Sequence, residues 1–494
     1  ADISFVLRVD ALGLLFGLLA SALWVITSFY SIGYMRGLSE DSQTRYFASF
    51  AASVSTAIGV AFAGNLVTLF IFYELLTVAT YPLVAHDETA EARAAGRKYL
   101  AYTFVGGVAV LAGTVLVFSM AGTTSFTPGG IGDLATADPA LARLAFALLA
   151  GGFGVKAALM PMHSWLPDAM VAPTPVSGLL HAVAVVKSGV FGIARVTLDV
   201  FGPETMQDLG VGLPLAAVAA FTLLTASIIA LRKDNLKRRL AYSTISQLSY
   251  IVLGLGVLSG EAVVGALLHI PAHAFMKLTL FFCAGAIHVE THTDDISDMA
   301  GIGRRMPLTM VAFAVAAAGM AGIPLVAGFV SKWYLLIGSV SAGQEIFAVA
   351  LLVSGMLNIA YFWPIVYQAF FETPEAHDEK PIAEGPYGGR DRVVADGGDS
   401  SNNAAADHDA ADDHTPAEHH AAGDHHTDDD HHHGGPPAGG WDERDWRGGE
   451  STWFMLGPIL TAATLSLLLG IIPHTVVFLR IVETVVGNLP GVMG

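Results

Sequence analysis

Long apolar runs separated by short polar connections dominate the chain up to residue 371, and a further run follows residue 451. A helix that crosses a membrane needs about 20 mostly apolar residues. By this rule the pattern predicts twelve spanning helices, centred on 11–33, 46–63, 65–85, 98–121, 140–160, 175–198, 209–231, 239–259, 261–289, 307–338, 343–371 and 452–474. The predicted fold class is an all-α polytopic membrane protein.

Two of the predicted helices contain breaks. The 140–160 segment runs into Pro161, and the long 307–338 segment contains Gly322, Pro324 and Gly328. Proline and glycine interrupt helices, and at membrane depth an interruption is tolerated where it is buried in protein or lines a cavity. We therefore expect both helices to be broken beside a polar path.

The 372–451 segment is the only long polar stretch. Its residues 372–450 hold 21 acidic and five basic side chains, a local net charge of −16, against −18 for the whole chain. The segment has too few apolar residues to offset the entropy of ordering, so we expect a disordered acidic insert. Its histidines, including His431, His432 and His433, are also compatible with zinc or nickel binding, which is the weaker interpretation.

Composition narrows the function classes. The chain is 53% hydrophobic and 14% charged, which is typical of a membrane protein. Because its acidity belongs to one insert, nucleic acid is not an expected partner. A single cysteine, Cys283, excludes an iron–sulfur cluster held by this chain alone, and no phosphate-binding loop or dinucleotide motif is present. We therefore expect no cofactor, and no catalytic chemistry is visible in this chain.

Basic residues mark alternate connections between the predicted helices. They follow the odd-numbered segments, apart from the fifth: Arg36, Arg45, Arg93, Arg97, Lys98, Arg232, Lys233, Lys237, Arg238, Arg239, Arg304 and Arg305. Basic loops remain in the cytoplasm. This orientation predicts that both ends of the sequence face outward and that the 372–451 insert is cytoplasmic.

Ionisable residues inside the apolar segments are the strongest functional signal. Each costs roughly 2.5–3.5 kcal/mol at the centre of the bilayer on insertion scales, so such residues usually serve transport. The candidates within or beside predicted spans are Glu74, Lys156, Lys187, His269, His273, Lys277 and Lys332. A buried lysine and a nearby carboxylate can form an electrostatic switch that takes up and releases a proton. The alternative for one Lys–Glu pair is a packing contact between helices.

Spacing strengthens the case for a proton relay in one segment. His269, His273 and Lys277 recur at intervals of four residues and therefore share one helical face. His181, six residues before Lys187, is either a further relay or a core hydrogen-bonding residue. His163, after the Pro161 break, is either a proton entry point or a loop residue.

Other polar residues at helix ends have simpler interpretations. Arg195 is predicted to be a cation whose head group reaches the membrane surface. Asp10 is predicted to lie at a helix end, where exposing a charged side chain to solvent costs little free energy. Ser243 and its polar neighbours open a helix and either line a wet path or simply occupy a helix end.

Several motifs together resemble one family. They are Phe72-Tyr73-Glu74-Leu75-Leu76, the 154–169 stretch GVKAALMPMHSWLPDA, Lys187-Ser188-Gly189, His273-Ala274-Phe275-Met276-Lys277 and Gly328-Phe329-Val330-Ser331-Lys332-Trp333. The combination resembles the proton-conducting antiporter-like subunits of complex I, of membrane-bound hydrogenases and of Mrp-type cation/proton antiporters. The Tyr-Glu-Leu-Leu and Ser-Lys-Trp-Tyr forms are most similar to the D-type subunits of Mrp antiporters.

The resemblance implies a fold and a role. It implies two inverted five-helix repeats, about 46–198 and 209–371, each with one broken helix. It implies that Glu74 and Lys156 form the switch of one half-channel, that Lys187 and the 269–277 stripe form the central relay, and that Lys332 ends the second half-channel. Members of the family usually carry fourteen spans, so we expect either a chain that starts late or a short variant.

The implied function is proton translocation within a multisubunit Na⁺/proton antiporter of a bacterial or archaeal cell membrane, with other membrane subunits as partners. The first alternative is a proton-pumping membrane subunit of a complex I-like oxidoreductase or a membrane-bound hydrogenase. A non-transporting scaffold is disfavoured, because apolar substitution would relieve a scaffold of the cost of its buried charges.

Overall fold

The computed structural model describes residues 4–373, 434–437, 440–444, 448–475 and 477–489, and this part of the chain is helical with no β-strand. The main helices are α1 (Ala11–Gly37), α2 (Gln43–Ala61), α3 (Leu66–Val84), α4 (Ala90–Ala121), α5 (Pro139–Lys156), α6 (Thr174–Val200), α7 (Gly212–Leu231), α8 (Leu236–Val257), α9 (Gly260–Thr291), α10 (Pro307–Ala321), α11 (Ala327–Ser341), α12 (Glu345–Phe371), α13 (Trp453–Ile471) and α14 (Phe478–Gly487). Shorter helices span Gly132–Ala135, Trp165–Asp168 and Gly202–Leu209.

The predicted apolar segments all fold as helices, but not all of them are full spans. Ten helices in the described residues are long and apolar enough to cross a membrane. Helix α2 is not among them, and the 307–338 segment divides into α10 and α11, each of 15 residues. The polytopic all-α fold is therefore confirmed, whereas the count of twelve spans is not.

Three helices form the centre of the bundle. The most apolar 18-residue windows of α6 and α9 are completely buried inside the protein, and that of α8 is 94% buried, whereas most other spans are about half buried. Helix α9 packs against α8, α10, α11 and α13, and α6 packs against α5 and α9. A polar side chain within these windows therefore faces protein and not lipid.

The outer helices present apolar side chains to their surroundings. Val105 and Val108 on α4 are 70% and 68% exposed, and Ile346 on α12 is 75% exposed. Continuous exposed apolar surface of this kind belongs in contact with lipid or with other membrane subunits. The helical faces therefore separate an apolar exterior from a central polar region.

Helix α5 ends at Lys156, a few residues before the end of its apolar segment. Ala158 has a left-handed backbone (φ 55°), which a helix does not continue through. The end is closed by its neighbours: the Trp165 indole donates to the carbonyl of Val155 at 2.9 Å, and the Met160 amide donates to the Thr222 hydroxyl at 3.1 Å. These bonds satisfy backbone groups that a broken helix leaves unpaired, so the predicted first break is confirmed.

The second break separates α10 from α11. Gly322 ends α10 with a left-handed backbone (φ 89°), where a residue with a side chain would be strained. Gly328 begins the next helix so close to α10 that an added Cβ would lie 1.9 Å from the Gly319 carbonyl oxygen. Both glycines are therefore required by the path of the chain, and the predicted second break is confirmed.

The last part of the predicted insert packs against the body of the protein. The fully buried Glu450 carboxylate accepts bonds from the Leu308 and Thr309 amides at 2.9 and 2.7 Å, which caps the first turn of α10. The Trp441 indole donates to the Ala300 carbonyl at 2.8 Å. The prediction of disorder therefore does not hold for this end of 372–451, whereas residues 374–433 lie outside the described part of the chain.

The prediction for Arg195 is wrong. Its side chain is only 1% exposed, and its guanidinium bonds both oxygens of Asp10 at 2.7 Å and one oxygen of Asp199 at 2.7 Å. Asp10 also caps α1 by accepting from the Gly13 amide. The three charges form a buried network that ties the start of α1 to the end of α6, instead of a cation that reaches the membrane surface.

We expect Arg195→Met to destabilise the fold. Removing one partner of a buried pair leaves uncompensated charge, which costs about 3–5 kcal/mol. The measurement is thermal unfolding of the purified protein in detergent. The matched control is Arg93→Met, which changes an exposed arginine and should alter stability by less than about 0.5 kcal/mol. Equal unfolding curves for the two variants would contradict a stabilising network.

Candidate functional site

Lys156 is held against α3 by uncharged groups. Its buried ammonium donates to the main-chain carbonyl of Tyr73 and lies 3.5 Å from the centroid of the Tyr73 ring. The Tyr73 hydroxyl in turn donates to the Gly152 carbonyl of α5 at 3.1 Å, which fixes the two helices together. A carbonyl dipole and an aromatic face stabilise the charged lysine without neutralising it.

Glu74 follows Tyr73 directly in the sequence. Its carboxylate is the acidic group that acts electrostatically on Lys156. Glu74 and Lys156 attract each other electrostatically, but no contact ion pair joins these two described side chains. The half-buried carboxylate fills space next to Gly107, where an added Cβ would lie 2.1 Å from Oε1, and this oxygen has no hydrogen-bond partner among the described residues. The arrangement places a carboxylate and an ammonium close enough to influence each other without locking them together.

Lys187 and His273 join α6 to α9 at the centre of the bundle. The Lys187 ammonium nitrogen lies 2.6 Å from Nδ1 of His273, and both side chains are fully buried. Gly189 lets α6 approach the end of α5, because a Cβ there would be 2.3 Å from the Ala157 amide nitrogen. The contact is a direct hydrogen bond between two groups that can both carry a proton.

His181 and Lys277 surround this contact. Both are fully buried, and neither the two His181 ring nitrogens nor the Lys277 ammonium has a hydrogen-bond partner within the described residues. Lys277 and Lys187 act electrostatically on His181, and both His181 and Lys277 act on His273. The four basic groups form one cluster that has no paired carboxylate among the described residues, so fully protonating the cluster would leave several buried like charges uncompensated.

His269 continues the line along α9 towards α11. Its ring centroid lies 6.1 Å from that of His273. Its Nδ1 bonds the Ser331 hydroxyl at 2.8 Å, and its Nε2 bonds Oε1 of Gln247 at 3.0 Å. Both nitrogens of this buried histidine are therefore engaged with neutral partners that either donate or accept.

A chain of neutral polar side chains leads from His269 along α8 and α12. Gln247 donates to Asn358 at 3.1 Å, the Tyr361 hydroxyl also donates to Asn358, and Tyr361 reaches Ser243 at 3.1 Å. Ser243 lies near the start of α8, beside the basic connection. Gln247, Asn358 and Tyr361 were not predicted from the sequence, although an amide within an apolar helix is a signal because it also needs a hydrogen-bond partner.

Lys332 occupies the second break, as Lys156 occupies the first. Its ammonium donates to the Met320 carbonyl at the end of α10 and lies 4.8 Å from the centroid of the Tyr250 ring. The Tyr250 ring stacks on His269 at 5.5 Å. A helix carboxyl end carries partial negative charge, so the break itself favours the cation.

The remaining candidates lie apart from this line. His163 is half-buried after the first break, its Nδ1 has no partner among the described residues, and its ring is 6.3 Å from that of Tyr242. His431, His432 and His433 lie outside the described residues. The structure therefore assembles Lys187, the 269–277 stripe and Lys332 into one connected region, whereas Glu74 and Lys156 form a separate group at the first break.

The fold and this line of buried ionisable side chains define a class: a polytopic helical membrane subunit with two broken helices at a polar core. Residues 63–358 match the family model described as NADH:quinone oxidoreductase/Mrp antiporter, transmembrane. The chain belongs to this family.

Relatives and solved structures agree with this assignment. The chain is 34% identical over 386 residues to the N subunit of the NADH-quinone oxidoreductase of Desulforudis audaxviator, covering 74% of this chain and 75% of the relative. It is 34% identical over 416 residues to the A subunit of the Na⁺/H⁺ antiporter of Alkalihalophilus pseudofirmus, covering 78% of this chain but only 50% of the relative. Its fold is similar to part of the Mrp complex from Dietzia sp. DQ12-45-1b (TM-score 0.73, 24% identity, 98% of this chain and 45% of that chain).

Proposed function

We propose that this chain is the proton-translocating membrane subunit of a multisubunit Na⁺/proton antiporter. The observation that carries the proposal is the direct bond between Lys187 and His273, placed between two broken helices that each hold a lysine. A buried basic pair that serves only packing would be replaceable by apolar side chains at lower solvation cost.

The proposed path runs through groups that exchange protons in sequence. When Glu74 is charged it favours the protonated form of Lys156, and when that influence weakens the lysine releases its proton. Lys187 and His273 pass a proton along their shared bond, and His269 links them to the Lys332 side. The His181 and Lys277 nitrogens have no partner among the described residues, and water at these positions would complete the path, since buried polar groups normally find protein or water partners.

The chain from His269 to Ser243 supplies the proposed connection to the cytoplasm. It ends near the start of α8, next to Arg238 and Arg239. Basic connections mark the cytoplasmic side. On this orientation the 372–451 segment is also cytoplasmic, and His163 faces the same side as a possible entry point for the first half.

A second candidate function is a proton-pumping subunit of a redox-driven membrane complex. It is favoured by the likeness to an N subunit of an NADH-quinone oxidoreductase over three quarters of that protein's length. In that case partner subunits carry the electrons. The more specific likeness to the D-type subunits of Mrp antiporters stays a prediction, because the relatives named above are of the N and A types.

The two candidates differ in what drives the protons. In proteoliposomes that contain the purified complex, a sodium gradient should move protons without an electron donor if the complex is an antiporter, as read by a pH-sensitive dye. Proton movement that occurs only with an electron donor and acceptor would identify the redox-driven class. Proteoliposomes that move no protons under either a sodium gradient or an electron donor and acceptor would contradict both candidates.

Deleting residues 390–430 is expected to leave proton flux largely unchanged. The deletion removes acidic, His-rich sequence but retains Trp441 and Glu450, which contact the body. The measurement is dye-monitored flux in proteoliposomes at equal protein content. Loss of flux with normal assembly would give the insert a direct part in transport.

A further inference from the structure

A group of side chains that could bind a metal ion lies outside the proton path, on the connections at the basic side of the bundle. Glu40 lies between α1 and α2, and His86 and Asp87 lie between α3 and α4. One ligand atom from each lies within 4.8 Å of the other two. We propose that Glu40, His86 and Asp87 bind a divalent transition-metal cation that joins these two connections.

The donor set suits such a cation. Nitrogen and carboxylate ligands bind first-row metals at about 2.0–2.2 Å, and ligands around one ion are then roughly 3.0–3.5 Å apart. The three side chains therefore need to close only slightly around the ion, which their position on connections allows. Two carboxylates and a neutral imidazole offset the two positive charges of the ion.

His86 is prepared as a ligand. The residue is only 4% exposed, and its Nδ1 has no hydrogen-bond partner among the described residues. Its ring packs edge-on against Tyr46 with centroids 5.5 Å apart, and Arg45 donates to the His86 carbonyl at 2.8 Å. These contacts hold the imidazole in place and leave its Nδ1 available to a metal ion.

Nearby cations have other partners. Lys237 attracts Asp87 electrostatically, but its ammonium donates to the Ala172 carbonyl at 3.4 Å. His288 bonds Asp294 at 3.0 Å. Within the described residues, neither Glu40 nor Asp87 forms an ion pair. The two carboxylates are therefore not neutralised by direct contact with a protein cation.

The test uses Mn²⁺ and the full chain purified free of metal. Manganese favours carboxylate-rich sites, whereas runs of histidine favour zinc, nickel and copper. Bound Mn²⁺ is counted from the loss of the free-ion EPR signal. The unsubstituted chain should bind one Mn²⁺ more tightly than Glu40→Gln or His86→Gln, by about tenfold or more. Glu40→Gln changes a partly exposed side chain and covers the case in which His86→Gln fails to fold.

Two controls separate this site from a neighbouring acid and from the histidine run of the insert. Asp41→Asn removes the same charge from the residue next to Glu40 without removing a ligand, and should retain the tight site. The triple variant His431→Ala, His432→Ala, His433→Ala should also retain it. Equal Mn²⁺ binding by Glu40→Gln and the unsubstituted chain, or loss of binding only in the triple variant, would overturn the proposal. It would leave the proposed transport function unaffected.

Discussion

Replacing Lys156 with alanine is expected to abolish proton flux while the protein still assembles in the membrane. A positioned proton-transfer group contributes roughly a hundredfold or more to a rate, and Lys156 is the buried base of the first break. The small side chain also removes the bond to the Tyr73 carbonyl, but the Tyr73–Gly152 bond remains to hold α3 to α5. The measurement is dye-monitored flux in proteoliposomes, with assembly checked by size-exclusion chromatography.

The matched control is Lys98→Ala. Lys98 is an exposed lysine that bonds Asp168 at 2.5 Å, and exposed pairs contribute little, so flux should change by less than about twofold. Glu74→Gln tests the switch separately, since it keeps the shape beside Gly107 and removes the charge. Normal flux in Lys156→Ala or in Glu74→Gln would refute the assigned switch.

Lys187→Ala is expected to have a similarly large effect, again roughly a hundredfold loss of flux. It removes the Lys187 side of the 2.6 Å bond to His273 and leaves His181 as the titratable residue that α6 contributes to the basic cluster. The expected result is a complex of normal size that no longer moves protons under either driving force.

Ser188→Ala provides the control on the same helix. Its hydroxyl is also buried, but it bonds the Val185 carbonyl within its own helix and takes no part in the basic cluster. Flux should therefore persist. If Ser188→Ala and Lys187→Ala lost flux equally, local disruption of α6 would explain both, and the relay assigned to Lys187 would be withdrawn.

Local signals in the sequence predicted the backbone well. Pro161 and Gly322 indicate breaks because they act on the chain at their own positions. The spacing of His269, His273 and Lys277 placed them on one face, and the structure brings that face against α6 and α11. Apolar length predicted helices throughout, although it overstated the number that qualify as full spans.

Contacts between residues that are far apart in the sequence could not be predicted in the same way. Arg195 meets Asp10 across 185 positions, so its partner is invisible to any rule about neighbours, and a solvent-seeking role was predicted instead. Gly107 was missed because a glycine gives no sign of what fills its space. Gln247 and Asn358 were missed because only ionisable side chains were sought, whereas neutral amides also carry hydrogen-bonded paths.

The hydrogen bonds between Glu450 and the start of α10 fix the end of the long connection that precedes α13. A connection pinned at both ends has an entropic cost that grows only slowly with its length. Residues 374–433 can therefore lengthen, shorten or change composition over evolution with little penalty to the helices on either side. This makes the connection a natural place for relatives to differ in size, and a suitable position at which to fuse a reporter domain.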